Sequence, residues 1–204
     1  MGKTKFWDVK TGKVIRQLNE GRGSFGSRGC QQSLAINPTD STQVFYASNL
    51  SVYNSSSKNK PITVSFPKED ARDSVFLFGL SYESCTAFSP DGKIIAVSSI
   101  DDLYIWQSTT GDRLYRLPAQ LADDKLIDKS HTSYEYLAFS PDSQIFVSGK
   151  SDGTIQLWDM KNGKEISKTT AHSQQHIRFL GFTPDGTTLI SIGGEGTIKL
   201  WEVR

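Results

Sequence analysis

One segment recurs five times along these 204 residues: a short apolar strand ending on an aromatic residue and then a polar one. The copies are Lys5-Phe6-Trp7-Asp8, Leu50-Ser51-Val52-Tyr53-Asn54, Leu103-Tyr104-Ile105-Trp106-Gln107, Ile155-Gln156-Leu157-Trp158-Asp159 and Ile198-Lys199-Leu200-Trp201-Glu202. All four tryptophans hold this position, and with Tyr53 the aromatics recur at intervals of 43 to 53 residues. A period of that length means one supersecondary unit copied along the chain, each copy burying its apolar face against its neighbours.

The unit reads as four strands, most clearly over 133–168. Tyr134 to Phe139 is an apolar run closed by Ser140-Pro141-Asp142, Gln144 to Ser148 is a short β-rich run, Ser151-Asp152-Gly153 is a turn, and Thr154 to Trp158 is the aromatic-ended strand. Lys161-Asn162-Gly163 then turns the chain into Lys164 to Lys168. Asn-Gly between strands signals a tight hairpin with both central residues at φ > 0, and Thr11-Gly12 and Thr110-Gly111 stand at the same place. The first turn recurs as Ser89-Pro90-Asp91-Gly92, Thr183-Pro184-Asp185-Gly186 and, more loosely, Asn37-Pro38-Thr39-Asp40. Proline presets φ and aspartate bonds back to the backbone, so each is a turn with a mechanism. No segment carries sustained helical periodicity. The expected strands group as 2, 4, 4, 4 and 3.

These residues resemble the WD-repeat family of β-propellers, in its bacterial type: a Gly-His pair before the first strand, a Ser-Pro-Asp-Gly turn and a closing Trp-Asp. The resemblance implies an all-β fold, a β-propeller of four-stranded antiparallel blades with about four to five WD-type repeats in an incomplete ring. It covers nearly the whole chain as one region, 1–204, with repeats at 1–18 (partial), 30–66, 75–117, 131–168 and 172–204, the last lacking its fourth strand. It places His131, Ser148, Asp152 and Trp158 on the family's buried hydrogen-bond tetrad, and His172, Ser191, Glu195 and Trp201 on a second one, with glutamate for the usual aspartate. Ser130 and Ala171 stand where glycine is usual. The third repeat keeps Ser98 and Trp106, with Asp101 nearby and no histidine; the second has Tyr53 for tryptophan. Lys13 to Leu18 is a candidate to complete the last blade, which would close a four-bladed ring; the preferred expectation is a piece of a larger propeller.

A tetrad of this kind is chemically coherent. A buried indole N–H needs an acceptor; a serine hydroxyl accepts it, a histidine bonds that serine, and a carboxylate holds the other imidazole nitrogen. His-Ser-Asp also spells a hydrolase triad. The structural reading is preferred because the set recurs beside a tryptophan in two repeats, whereas catalysis needs one site.

Two segments interrupt the repeat. Residues 21–29 contain Gly-x-Gly-x-x-Gly, but a strand-like run, Cys30 to Ile36, follows where a phosphate loop needs a helix N-terminus. An inter-blade loop is expected, with Arg22, Phe25 and Arg28 as possible peptide contacts. Residues 118–130 lengthen another connection and read as a solvated loop. His172 and His176 are four apart on a strand entry, which does not bring them to one face as a helix would. No metal or cofactor site is expected.

The net charge of +1 supplies no field toward nucleic acid or membrane. There is no apolar run of ~18 residues and no signal-peptide pattern. Cys30 and Cys85 are expected to be reduced, in a cytoplasmic protein. By its resemblance the chain is a non-catalytic protein–protein interaction scaffold that binds peptides or domains on its face and loops. Ser133, Glu135, Ser151, His176 and Arg178 are the candidate protein-binding residues, at the entry to first strands and beside the tetrad acid; Arg178 is the leading one, arginine being enriched at hot spots. The expected partners are proteins, including remaining blades from another chain or a second copy, because an open arc exposes blade edges and faces. The alternatives are a propeller enzyme (a hydrolase or lyase), which needs several inward His, Asp or Glu that the repeats do not supply, and a truncated remnant of a larger WD-repeat protein.

Overall fold

The computed structural model describes residues 3–19, 34–46, 51–54, 62–63, 85–98, 102–118, 133–173 and 175–203. They form five antiparallel sheets. The first is a hairpin of β1 (Lys3–Trp7) and β2 (Val14–Asn19). The second runs β3 (Leu34–Ile36), β4 (Gln43–Tyr46), β5 (Ser51–Asn54) and β6 (Ile62–Thr63); the third runs β7 (Thr86–Phe88), β8 (Ile94–Ser98), β9 (Asp102–Gln107) and β10 (Arg113–Pro118). The fourth comprises β11 (Tyr134–Phe139), β12 (Ile145–Lys150), β13 (Thr154–Asp159) and β14 (Lys164–Thr170), and the fifth β15 (Ile177–Phe182), β16 (Thr188–Gly193) and β17 (Ile198–Glu202). Every sheet is an up-and-down meander, as propeller blades are, and no helix occurs among the described residues.

Consecutive sheets pack face to face through their first strands, β3 against β7, β7 against β11 and β11 against β15. Alternation along each strand divides its side chains between the two seams. Phe146 and Trp158 point back toward the third sheet, joining Leu103, Ile105 and Leu117. Val147, Ile155 and Leu157 point forward to Ile177, Leu180 and Leu189. Both faces of an inner sheet are thus covered, so its strands read as near-continuous apolar runs. Each seam also takes one tryptophan from its following sheet: Trp106 packs with Phe45 and Val52, and Trp201 with Leu157. Phe146 and Ile155 are essentially inaccessible, and burial of such a side chain is worth about 1.5–3 kcal/mol. The recurring tryptophan therefore marks the seams between sheets.

The turns show why Ser-Pro-Asp recurs. Ser140 Oγ donates to Asp142 Oδ1 at 2.6 Å, and the same carboxylate oxygen accepts the Gln144 amide at 3.0 Å. Thr183 and Asp185 repeat this arrangement. The fourth residue is left-handed each time: Gly92, Ser143 and Gly186 have φ of 73°, 63° and 73°. The turn at Asn162-Gly163 differs from the expected two-residue hairpin. Gly163 has φ 69°, but Ser143 is the sole non-glycine at positive φ among the described residues. The Gly163 amide reaches back to the Asp159 carbonyl, and Asp159 Oδ1 caps the Lys161 amide. Aspartate capping favours a longer loop with one left-handed glycine.

One expectation is corrected, and one alternative is not realised. Cys85 is disulfide-bonded rather than a free thiol; Cys30 lies outside the described residues. The candidate closing strand, found at Val14–Asn19, pairs with β1 and not with β17. The loops 21–29 and 119–130, Asp101 and His131 also fall outside the described residues.

Candidate protein-binding site

The second tetrad is a continuous hydrogen-bonded chain. Trp201 Nε1 donates to Ser191 Oγ at 3.0 Å, Ser191 Oγ lies 2.9 Å from His172 Nε2, and His172 Nδ1 lies 2.5 Å from Glu195 Oε1. With the imidazole proton on Nδ1, every donor along the chain meets an acceptor. The hydrogen bond from His172 holds the Glu195 carboxyl below its ordinary range. Ser191 is fully buried and occupied by the indole, so its hydroxyl is not presented to a substrate as a triad nucleophile would be. In the first tetrad, Trp158 Nε1 reaches Ser148 Oγ at 3.4 Å, while Asp152 caps the Thr154 amide. In the third sheet Ser98 Oγ accepts the Cys85 amide at 2.8 Å.

Backbone packing places His172. Its amide and that of Ala171 both donate to the Gly153 carbonyl, in the turn between β12 and β13. Gly153 has φ +80°, and a Cβ there would meet the His172 carbonyl. The turn of one sheet thus seats the entry of the next, and only glycine fits.

The five candidate binding residues gather at this same end of the fourth and fifth sheets. Ser133 and Ser151 exchange two bonds: the Ser133 amide donates to Ser151 Oγ at 3.1 Å, and the Ser151 amide donates to the Ser133 carbonyl at 2.9 Å. Glu135 and His176 meet across the seam, Nδ1 to Oε1 at 2.5 Å. Glu135 is buried and the His176 side chain is 64% exposed. Burial pushes the Glu135 carboxyl above its ordinary range, opposed by the hydrogen bond and charge of His176 and by the charge of Arg178. Arg178 is exposed. It lies against Gly194, where a Cβ would sit 3.7 Å from its Nε and 3.2 Å from Gln175 Oε1. Gln175 had no signal in the sequence, since a polar residue on a strand entry looks like any loop residue. Lys150 was also missed; it is buried, its Nζ 5.0 Å from the Tyr134 ring centroid, and a lone lysine at a strand end reads as solvated.

Among the described residues no group of three or more His, Cys, Asp or Glu side chains is placed to hold a metal, and no helix is long and apolar enough to cross a membrane.

Comparison with known proteins agrees with the sheet pattern. The family model "WD domain, G-beta repeat" matches residues 126–159 and 163–202. The chain is 33% identical over 87 residues to the periodic tryptophan protein 2 homolog of Neurospora crassa, covering 42% of this chain and 9% of that protein. It is 31% identical over 98 residues to WD repeat-containing protein 1 of Gallus gallus, covering 45% and 15%. Over 174 residues, 82% of this chain, it is 27% identical to 26% of human pre-mRNA-processing factor 17. The chain therefore matches only a minor part of the length of each of these relatives. The repeated sheets, the hydrogen-bonded chain at His172 and these matches agree in showing similarity to WD repeats over residues 126–159 and 163–202.

Proposed function

We propose that the chain is a non-catalytic protein-interaction scaffold, a single WD-repeat region over 1–204, and that it binds a partner on the end of the sheet stack where β11 and β15 begin. The observation that carries this reading is the cluster at the seam of the fourth and fifth sheets. Glu135 is buried and tethered to His176, so an exposed imidazole is held in place beside the exposed Arg178. A fixed histidine and an arginine with five N–H donors suit a carboxylate or a main-chain carbonyl. Ser133, Ser151 and Gln175 supply adaptable polar contacts around them. An extended acidic peptide or an acidic loop of a folded partner fits that chemistry. Residues placed on packed sheets bind with little ordering cost.

The near-neutral charge leaves nucleic acid out of the proposal. A cytoplasmic location belongs to it; the Cys85 disulfide counts against that location, because cytosolic thiols are kept reduced, and so makes this cysteine its direct test. Reduced cysteines in freshly lysed cells support that location, and a disulfide recovered there argues against it.

The binding reading is tested by selecting peptides from a displayed random library on the immobilised chain. Enrichment of an acidic motif that is lost on a chain carrying both Arg178→Ala and His176→Ala supports the site. Equal enrichment on both chains overturns it.

A further inference from the structure

Asn162-Gly163 is the sole Asn-Gly pair in the chain, and Asn162 is exposed at the tip of the β13–β14 hairpin. The pair is chemically labile. The backbone nitrogen of the residue after an asparagine can attack the side-chain Cγ, closing a five-membered succinimide as ammonia leaves. Glycine, with no Cβ, hinders that attack least. Water then opens the ring at either carbonyl, leaving aspartate or isoaspartate and a new negative charge.

The turn does not need the asparagine. Gly12, Gly111 and Gly163 all have positive φ, and each amide reaches back to a carbonyl four residues earlier, of Asp8, Gln107 and Asp159. The residue before the glycine is threonine in the first two. The same turn thus forms around a side chain that cannot cyclise, and the labile residue is peculiar to the fourth sheet.

The hairpin restrains both reacting groups. The Gly163 amide donates to the Asp159 carbonyl at 2.8 Å, Asn162 Nδ2 donates to Asp159 Oδ2 at 2.7 Å, and Asn162 Oδ1 accepts the Lys164 amide at 2.8 Å. Cyclisation swings the carboxamide over the Gly163 nitrogen, which breaks all three bonds. The third sheet adds a clamp. The Tyr115 ring lies against Gly163, where a Cβ would sit 2.5 Å from Cδ1, and its hydroxyl donates to the Lys161 carbonyl at 3.0 Å. Tyr115 stands on β10, so the tip opens only by leaving the third sheet.

We propose that Asn162 is a deamidation site, closed by the folded hairpin and opened when its tip comes away from Tyr115. Local opening costs less than global unfolding, so the modification records openings of this one hairpin. The change is one-way. A carboxylate at position 162 cannot donate to Asp159 Oδ2 and repels it, and an isoaspartate adds a carbon to the backbone of the turn, so the modified tip recloses poorly. The tip lies at the end of β13 away from Gly153 and the binding cluster, and this inference is independent of the binding reading.

The full chain is incubated at mildly alkaline pH in buffer and in denaturing urea. The peptide carrying position 162 is then followed by mass spectrometry after cleavage by a protease that spares lysine. Conversion should be about tenfold or more slower in buffer, given the bonds that must open; equal rates in buffer and urea overturn the proposal. Asp159→Ala removes the carboxylate that holds Nδ2 and should raise the buffer rate several-fold with the urea rate unchanged. Tyr115→Phe touches no reacting atom and should raise it to a smaller degree; it decides the matter where Asp159→Ala lowers the urea midpoint of the whole chain. A buffer rate raised by neither variant overturns the proposal. Asn162→Thr, the residue of the other two turns, should leave this peptide unconverted, and conversion that persists there overturns it as well.

Discussion

Glu135 on β11 and His176 at the entry to β15 are joined at 2.5 Å across the seam between two sheets, the acid buried and the imidazole exposed. Removing the imidazole leaves a desolvated carboxylate without that partner, which costs about 1–3 kcal/mol. Burial holds the Glu135 carboxyl above its ordinary range. A carboxyl raised in the folded state favours folding while protonated and loses that preference as pH rises through its folded value. The cost of His176→Ala is therefore expected at pH 8 and should shrink as pH falls and Glu135 takes up its proton. Adding Glu135→Gln should recover most of it. Urea melts of the three variants across pH check this; a cost independent of pH refutes it.

Ser191→Ala removes the atom that links Trp201 to His172. Both the indole N–H and an imidazole nitrogen lose their partner, and the expected loss is about 2–3 kcal/mol. The measurement is denaturant unfolding with tryptophan fluorescence. A loss below ~0.5 kcal/mol would mean that the chain of bonds does not hold the fifth sheet.

Gly153 and Gly186 share a left-handed φ but not a neighbourhood. A Cβ on Gly153 collides with the His172 backbone, whereas one on Gly186 meets only Pro141 at 3.5 Å. Gly186→Ala should cost about 1–2 kcal/mol, the penalty of the backbone conformation alone. Gly153→Ala should exceed ~3 kcal/mol and displace the entry to β15. Similar costs for the two would contradict the seating of one sheet's turn on the next.

Acid should loosen the turns. The carboxyls of Asp142 and Asp185 lie below their ordinary range, chiefly through hydrogen bonds from Ser140 and Thr183, and that of Glu195 through His172. A carboxyl depressed in the folded state stabilises it above the unfolded pKa, and that contribution is lost as pH falls through the folded value. Stability should therefore drop below pH ~4. Asp142→Asn together with Asp185→Asn should flatten the drop in a pH-resolved thermal melt; an unchanged acid limb would show that the turns do not carry it.

The repeat period made the sheets legible, because each aromatic-ended strand must bury its ring in a seam. The grouping of strands as 2, 4, 4, 4 and 3 followed from Ser-Pro-Asp and glycine turns whose hydrogen bonds are local. What depends on contacts between repeats was less visible. Nothing in the order of residues says that Gln175 lies beside Arg178, or that Lys150 is buried beside Tyr134. The hairpin at Asn162-Gly163 is present as expected, but its loop is longer than the dipeptide alone implies, because Asp159 further back caps the Lys161 amide. Cys85 reads in the sequence as a small buried thiol, and nothing in its spacing marks it as disulfide-bonded.

The most direct test of the binding site is the affinity of a selected acidic peptide for the wild type and for Arg178→Ala, by titration calorimetry at low and at moderate salt. The expected result is at least tenfold weaker binding by the variant, ~1.4 kcal/mol, with a smaller salt dependence than the wild type shows. Equal affinities and equal salt dependence would place the partner elsewhere on the molecule.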